Sequence, residues 1–403
     1  MSDQQTATAE DARVFRRRVF YIPGYDPIHP RRYRELYRRE GAAQAKISGY
    51  ALDLKPKMVK GPYGWHVTSD LGGQADVEVL VWSDIVKGSM NPSIAATYLQ
   101  LVRTAWAYVG SGALFRLMRL RKGPMIAALY PIGMLLAQLG MAMLAGWGVG
   151  MLGALVHPLV GWTAGLGVVY GVLRTFRRYD NRLFAYYLMH DFAYSAQSEG
   201  AIPPELEARM VVFGQAVAEA LCGAYDEVLV VGHSSGAHLA VSILADLIRG
   251  GLPEVRPALG FLSLGQVMPM VSFLPRATRL RADLHYLAAR DEVTWVDVTA
   301  PGDGCAFALC DPVAVTGVSP AGKKWPLVVS AAFTRTLSPE RWRELRWKFF
   351  RLHFQYLCAF DRPGHYDYFQ ITAGPMTLAD RYRGRKPSGS RIETPLSGYR
   401  TMA

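Results

Sequence analysis

From Met125 to Leu173 the chain carries no Asp, Glu, Lys or Arg. That absence excludes an ordinary surface segment, because a solvated helix shows charge on at least one face. These 49 residues are long enough for two membrane spans of about 20 residues each. The centre, Ala145-Gly146-Trp147-Gly148-Val149-Gly150, reads as a turn, which predicts helices over about 125–144 and 151–173. Gly133, Gly140, Gly161, Gly165, Gly167 and Gly171 would let two such helices approach closely, and Pro131 and Pro158 are tolerated in membrane helices. Basic residues lie at both outer ends and none at the turn, which predicts both ends in the cytoplasm and the turn outside. The alternative is a helical hairpin buried in a soluble cap domain, but so long an uncharged block is hard to bury in a chain of this size.

Cysteine is scarce as well. Four residues (Cys222, Cys305, Cys310, Cys358) among 403 do not make a disulfide framework and read as reduced thiols in a cytosol-facing protein. Cys305 and Cys310 have no matching His/Cys pair nearby, so no metal is expected. The first twelve residues lack an apolar core, so no secretory signal is expected there. Acidic residues are outnumbered 33 to 45, leaving a formal charge of +12. The arginines crowd three places: the N-terminus (Arg13, Arg16–Arg18, Arg31–Arg39), the flanks of the apolar block (Arg116–Lys122, Arg174–Arg178) and the tail (Arg381–Lys386). They do not interleave with stacking aromatics on one module, so no nucleic-acid partner is expected.

What the chain does have is Val228-Leu-Val-Val-Gly-His-Ser-Ser-Gly-Ala-His-Leu-Ala240. Val228–Val231 is an apolar run suited to a central parallel strand. A helical run, Ala237–Leu247, leaves the other side. Between them lies a tight turn with Ser234 at its apex and Gly232 and Gly236 two residues to either side, where side chains would crowd the turn. The serine hydroxyl is then lifted above the sheet edge, at the positive end of the helix dipole.

This strand, turn and helix resemble the nucleophile elbow of the α/β-hydrolase superfamily. The resemblance covers roughly residues 19–82 and 180–372, with the apolar block inserted between. It implies an α/β fold, a mostly parallel sheet flanked by helices, and a Ser, acid, His order of catalytic residues. Asp303 fits the acid: it sits in a Pro-Gly-Asp-Gly loop just past the strand candidate Thr294–Thr299. Asp297, inside that strand, is the alternative acid. Two histidines follow. His353 lies in Trp342–Phe360, a stretch of helical character, whereas His365 lies in a loop opened by Pro363-Gly364, from which it could reach back to the serine. His365 is therefore the expected base. The Ser235 amide would give one oxyanion donor, and Gly24 or Tyr25, after the early strand Arg18–Ile22, the other.

The expected organisation is a basic arm (1–17), a first part of the core (18–110), the hairpin with basic flanks (111–178), the rest of the core with the triad (179–375) and a disordered basic tail (376–403). Pro92–Leu120 is expected to hold a helix lying at the membrane surface. A site held at a bilayer most readily meets lipophilic esters, so the expectation is a membrane-anchored esterase or lipase-like enzyme without a cofactor. Its partners would be the lipid bilayer and a lipophilic ester. Acyl transfer by the same triad, or a non-catalytic membrane scaffold, are the alternatives. The oligomeric state is open.

Overall fold

The computed structural model describes residues 13–90 and 93–403. Most of the basic arm (1–12) and Pro92 lie outside the described residues. Eight strands form one sheet: β1 (Phe15–Ile22), β2 (Leu52–Pro56), β3 (Gly64–Ser69), β4 (Gly73–Val79), β5 (Glu227–His233), β6 (Ala258–Leu264), β7 (Thr294–Thr299) and β8 (Leu327–Ser330). Their order is β2-β3-β4-β1-β5-β6-β7-β8. The run from β4 to β8 is parallel, and β3 pairs antiparallel with both β2 and β4 at one edge. The sheet is therefore mixed, with its parallel part running from β4 to the β8 edge.

Period-two alternation divides the central strands between two cores. Phe20, Ile22, Val228, Val230, Phe261 and Trp295 face one side, under the Gly236–Arg249 helix. Val19, Tyr21, Leu229, Val231, Leu262 and Val296 face the other, under Arg31–Ser48 and Tyr368–Ala373. Burial on both faces explains why β5 reads as continuously apolar.

The strand order sets the position of the site. The chain leaves β1 toward the β4 side of the sheet and leaves β5 toward the β6 side. The loops after these neighbouring parallel strands diverge and open a crevice at their carboxyl ends, where doubly wound sheets bind ligands.

Four expectations are corrected. The basic arm does not run to residue 17: β1 starts at Phe15, so Arg17 lies in the sheet beside Arg18, and both are buried. Arg17 pairs with Glu227 at 2.5 Å, and Arg18 pairs with Glu78 at 2.9 Å, so these charges tie β1 to its neighbours. The hairpin turn is at Leu155–His157, and Ala145–Gly150 is helical, giving helices Lys122–Ala154 and Pro158–Arg178. The region after Pro92 is two helices, Ile94–Gly110 and Ala113–Leu120, because Gly112 takes a left-handed conformation between them. The tail is laid against the body. Ile392 bridges Cys310, Arg281 donates to the Thr401 carbonyl at 2.7 Å, and Leu396 N–H donates to Val315 at 2.9 Å.

The glycines read as a turn are the packing surface of the hairpin. A Cβ on Gly146 would lie 2.8 Å from the Gly165 carbonyl, and one on Gly161 would lie 2.5 Å from the Gly150 carbonyl. Gly146 and Gly150, like Gly161 and Gly165, are four residues apart, the small-xxx-small spacing that lets helix backbones touch. Gly133, Gly140, Gly167 and Gly171 face open space.

Both helices are long and apolar enough to cross a membrane, with only 28% and 11% of their most apolar windows buried. The core helix of a soluble protein is mostly buried, and these are not. Trp147, Leu152, Trp162 and Leu166 are exposed along them, as are Leu155 and Val156 at the turn.

Candidate active site

Ser234 stands at the end of β5 with a φ of 55°, a left-handed conformation that non-glycine residues rarely hold. Its N–H donates to the Leu264 carbonyl at 2.9 Å, and its carbonyl accepts from Ala237 N–H at 3.1 Å. The flanking glycines are forced by contact. A Cβ on Gly236 would lie 2.1 Å from the Ile22 carbonyl oxygen, and one on Gly232 would lie 2.7 Å from Ala237 Cα. Ser235 occupies the N-cap position of the following helix, and its N–H has no backbone acceptor among the described residues.

The loop after β1 meets this elbow. A Cβ on Gly24 would lie 2.9 Å from Ser234 Cβ. The loop is pinned from three sides. Trp82 Nε1 donates to the Pro23 carbonyl at 2.9 Å, Tyr187 Oη donates to the Tyr25 carbonyl at 2.8 Å, and Asp26 accepts from Ile28 N–H and Tyr33 Oη. Gly24, Tyr25, Ser234 and Ser235 all line one cavity of about 880 Å³.

Asp303 sits in the loop past β7, where the sequence places it, and is fully buried. Its partner is His353: Nδ1 lies 2.8 Å from Asp303 Oδ2. Tyr356 Oη donates to the same oxygen at 3.0 Å, and Cys305 N–H donates to Oδ1 at 2.9 Å. Burial works to raise the Asp303 pKa, but the His353 charge and these donors outweigh it and hold the carboxyl below its ordinary value. The other ring nitrogen, His353 Nε2, is buried with no partner among the described residues and belongs to a residue lining the Ser234 cavity.

His365, the histidine expected as base, is not brought to this site. It is exposed and does not line the cavity. The Pro-Gly loop instead leads to Asp367, whose carboxylate caps the Tyr368–Ala373 helix at the Phe369 and Gln370 amides. His353 is passed over in the sequence as a helix residue because no Gly or Pro interrupts residues 340–362. In the structure that stretch breaks into Pro339–Leu345, Phe349–His353 and a 3-10 turn, Phe354–Leu357, with His353 at the junction.

Asp297 lies elsewhere. It is buried in β7, accepts from Ser263 Oγ at 2.6 Å, and its second oxygen has no partner among the described residues. Burial is the main cause that pushes its carboxyl up to about 8, with Asp311 adding to it and Ser263 opposing.

Two further groups stand beside the pair: His233, whose place next to the serine in the elbow puts it in the cavity lining, and Asp191, which has no marker in the sequence. His233 donates from Nε2 to the His353 carbonyl at 3.0 Å and packs against the His353 ring in a tilted arrangement, centroids 4.8 Å apart. Burial first, then the His353 charge, pushes its pKa down to about 3, so it is a neutral prop for His353. Asp191, on the Ala185–Ala196 helix, also lines the cavity. Burial, reinforced by Asp26 and opposed by His353, pushes its carboxyl up to about 7.

Asp303, Cys305 and His353 each offer one ligand atom within 4.8 Å of one another, the spacing of a cation site. The Asp303–His353 hydrogen bond already occupies two of these atoms, and burial raises the Cys305 thiol well above its ordinary range, so the three read better as a hydrogen-bonded cluster.

The chain matches no family model, no curated protein and no solved structure with which it was compared.

Proposed function

We propose that this chain is a membrane-anchored serine hydrolase of the α/β-hydrolase type that cleaves lipophilic carboxylic esters. The observation that carries the reading is one cavity holding a strained serine and a histidine whose Nδ1 is tied to a buried aspartate while Nε2 has no partner among the described residues. Ser234 Oγ attacks the acyl carbonyl as His353 Nε2 takes its proton. Asp303 keeps the imidazole in the required tautomer and stabilises the cation. The oxyanion is received by the Ser235 amide and an amide at Gly24 or Tyr25. Collapse of the tetrahedral species returns the proton from His353 to the departing alkoxide and leaves an acyl-serine. Water, deprotonated by the same nitrogen, then releases the acid and restores Ser234.

The cavity suits a lipophilic acyl group, since most of its lining is apolar: Ile126, Ala127, Leu188, Val267, Met270 and Phe354 among others. The Lys122–Ala154 helix contributes part of that wall, so the hairpin that would enter the bilayer also shapes the acyl site. The basic flanks of the hairpin favour a cytoplasmic placement of the core.

The test is labelling by a fluorophosphonate. The wild type should be labelled at Ser234 and release acid from a p-nitrophenyl ester, and Ser234→Ala should do neither while keeping the circular-dichroism spectrum. Labelling retained in the variant, or carried by Ser235, overturns the assignment.

A further inference from the structure

The cavity changes character between its floor and its mouth. Inside lie Ser234, His353, Asp26 and Asp191, none of them fully exposed. The exposed lining residues include Ile126, Tyr130, Phe184, Trp347 and Phe349 together with Arg182, Lys348 and Arg351. Such a rim pairs large apolar side chains with cations and carries no exposed carboxylate among the described lining residues. Lys348 and Arg351 share Glu344 just outside it, at 3.0 and 3.6 Å, a pair of exposed contacts that leaves one positive charge in excess. Arg182 has no carboxylate within salt-bridge distance among the described residues and lies over the Tyr179 ring instead.

Position adds to chemistry. Ile126 and Tyr130 belong to the first turns of one apolar helix, and Arg182 follows the end of the other. The mouth therefore sits at the root of the hairpin. Aromatic and basic side chains together are what a protein presents at the headgroup level of a bilayer.

We infer that the substrate of this site is an anionic lipid taken directly from the membrane, its acyl chain entering the cavity toward Ser234 and its charged headgroup held at the mouth by Arg182, Lys348 and Arg351. The inference rests on the proposed hydrolase reading and names its substrate class. Its chemistry is the hydrolysis already written: water is added across the acyl ester, giving a fatty acid and a lyso-lipid that keeps the anionic headgroup.

The experiment uses full-length protein and vesicles of equimolar phosphatidylglycerol and phosphatidylcholine, in which both lipids meet the same surface. Fatty-acid release from each lipid is followed separately. Phosphatidylglycerol should be cleaved faster by roughly tenfold to a hundredfold, the order expected for two or three basic residues near an anionic group. The ratio should fall toward one in Arg182→Gln/Lys348→Gln/Arg351→Gln, and in the wild type as salt is raised. Because it is a ratio, it needs no assumption about the total activity of the variant. The salt series on the wild type stands even if the triple variant does not fold. Equal cleavage of the two lipids, with Ser234-dependent hydrolysis of a p-nitrophenyl ester intact, overturns the headgroup inference and leaves the hydrolase standing. Loss of Ser234-dependent hydrolysis on every substrate overturns both.

Discussion

His353 Nδ1 lies 2.8 Å from Asp303 Oδ2, although fifty positions separate the two residues in the chain. The pair is made by two breaks in regular structure: the loop past β7 that carries Asp303, and the junction between a short helix and a 3-10 turn that carries His353. Tyr356, one turn beyond His353, donates to the same carboxylate and also accepts from Ala300 N–H at 3.0 Å, so one phenol joins both segments.

Asp303→Asn would leave the imidazole in the wrong tautomer. In a serine protease that change lowers kcat about 10⁴-fold. The expected result here is a comparable loss in kcat with KM little changed. A loss under tenfold at equal folded fraction would show that Asp303 does not orient the base.

Asp297→Asn is expected to spare activity and change the pH dependence of stability. With a folded pKa of about 8 against an unfolded value near 3.9, folding takes up a proton between these limits. The stabilisation is complete below about pH 4 and is lost as pH rises toward 8, at up to about 1.4 kcal/mol per pH unit. Asparagine cannot ionise, so the variant should gain in Tm relative to the wild type as pH is raised from 5 to 8. A constant Tm difference across that range would mean the carboxyl is charged in the fold.

Gly24→Ala tests the loop after β1. Its Cβ would lie 2.9 Å from Ser234 Cβ, so loop and serine must separate. Displacing an oxyanion donor costs on the order of 10²–10³ in kcat, and that is the loss expected, with fluorophosphonate labelling slowed rather than abolished. Unchanged turnover would place the second donor elsewhere.

The hairpin can be tested at its glycines. Gly165→Leu puts side-chain atoms where the Gly146 backbone lies, whereas Gly171→Leu enters open space. In detergent, Gly165→Leu should lower the Tm by an amount equivalent to about 1–3 kcal/mol, the usual cost of overpacking, and Gly171→Leu should not. Both proteins should stay in the membrane pellet after carbonate extraction, and a tag inserted at Val156 should be reached only from outside. Full-length protein in the soluble fraction would argue against membrane insertion.

The parts of this architecture that were legible in sequence are those dictated by sterics within a few residues. The Gly232–Gly236 elbow was readable because a Cβ on either glycine meets backbone, and Asp303 because loops past strand ends are marked by Pro and Gly. The histidine was not readable, since the break at His353 is imposed by packing of Leu352, Tyr356 and Leu357 into the core and leaves no local marker. Gly146 and Gly150 misled because glycine marks turns in water, whereas in an apolar helix it permits close packing. The order of the tail is likewise tertiary: Leu396 and Thr401 are held by Val315 and Arg281, far away in the chain.

The central claim is that His353, and not His365, serves Ser234. The most direct measurement is the rate of fluorophosphonate labelling in His353→Ala and His365→Ala, purified in detergent and matched for folded fraction. His353→Ala should lose labelling by several powers of ten, in line with the order of 10⁶ lost in kcat when a subtilisin triad histidine is removed, and His365→Ala should label at close to the wild-type rate. Wild-type labelling in His353→Ala, or its loss in His365→Ala, would contradict the account.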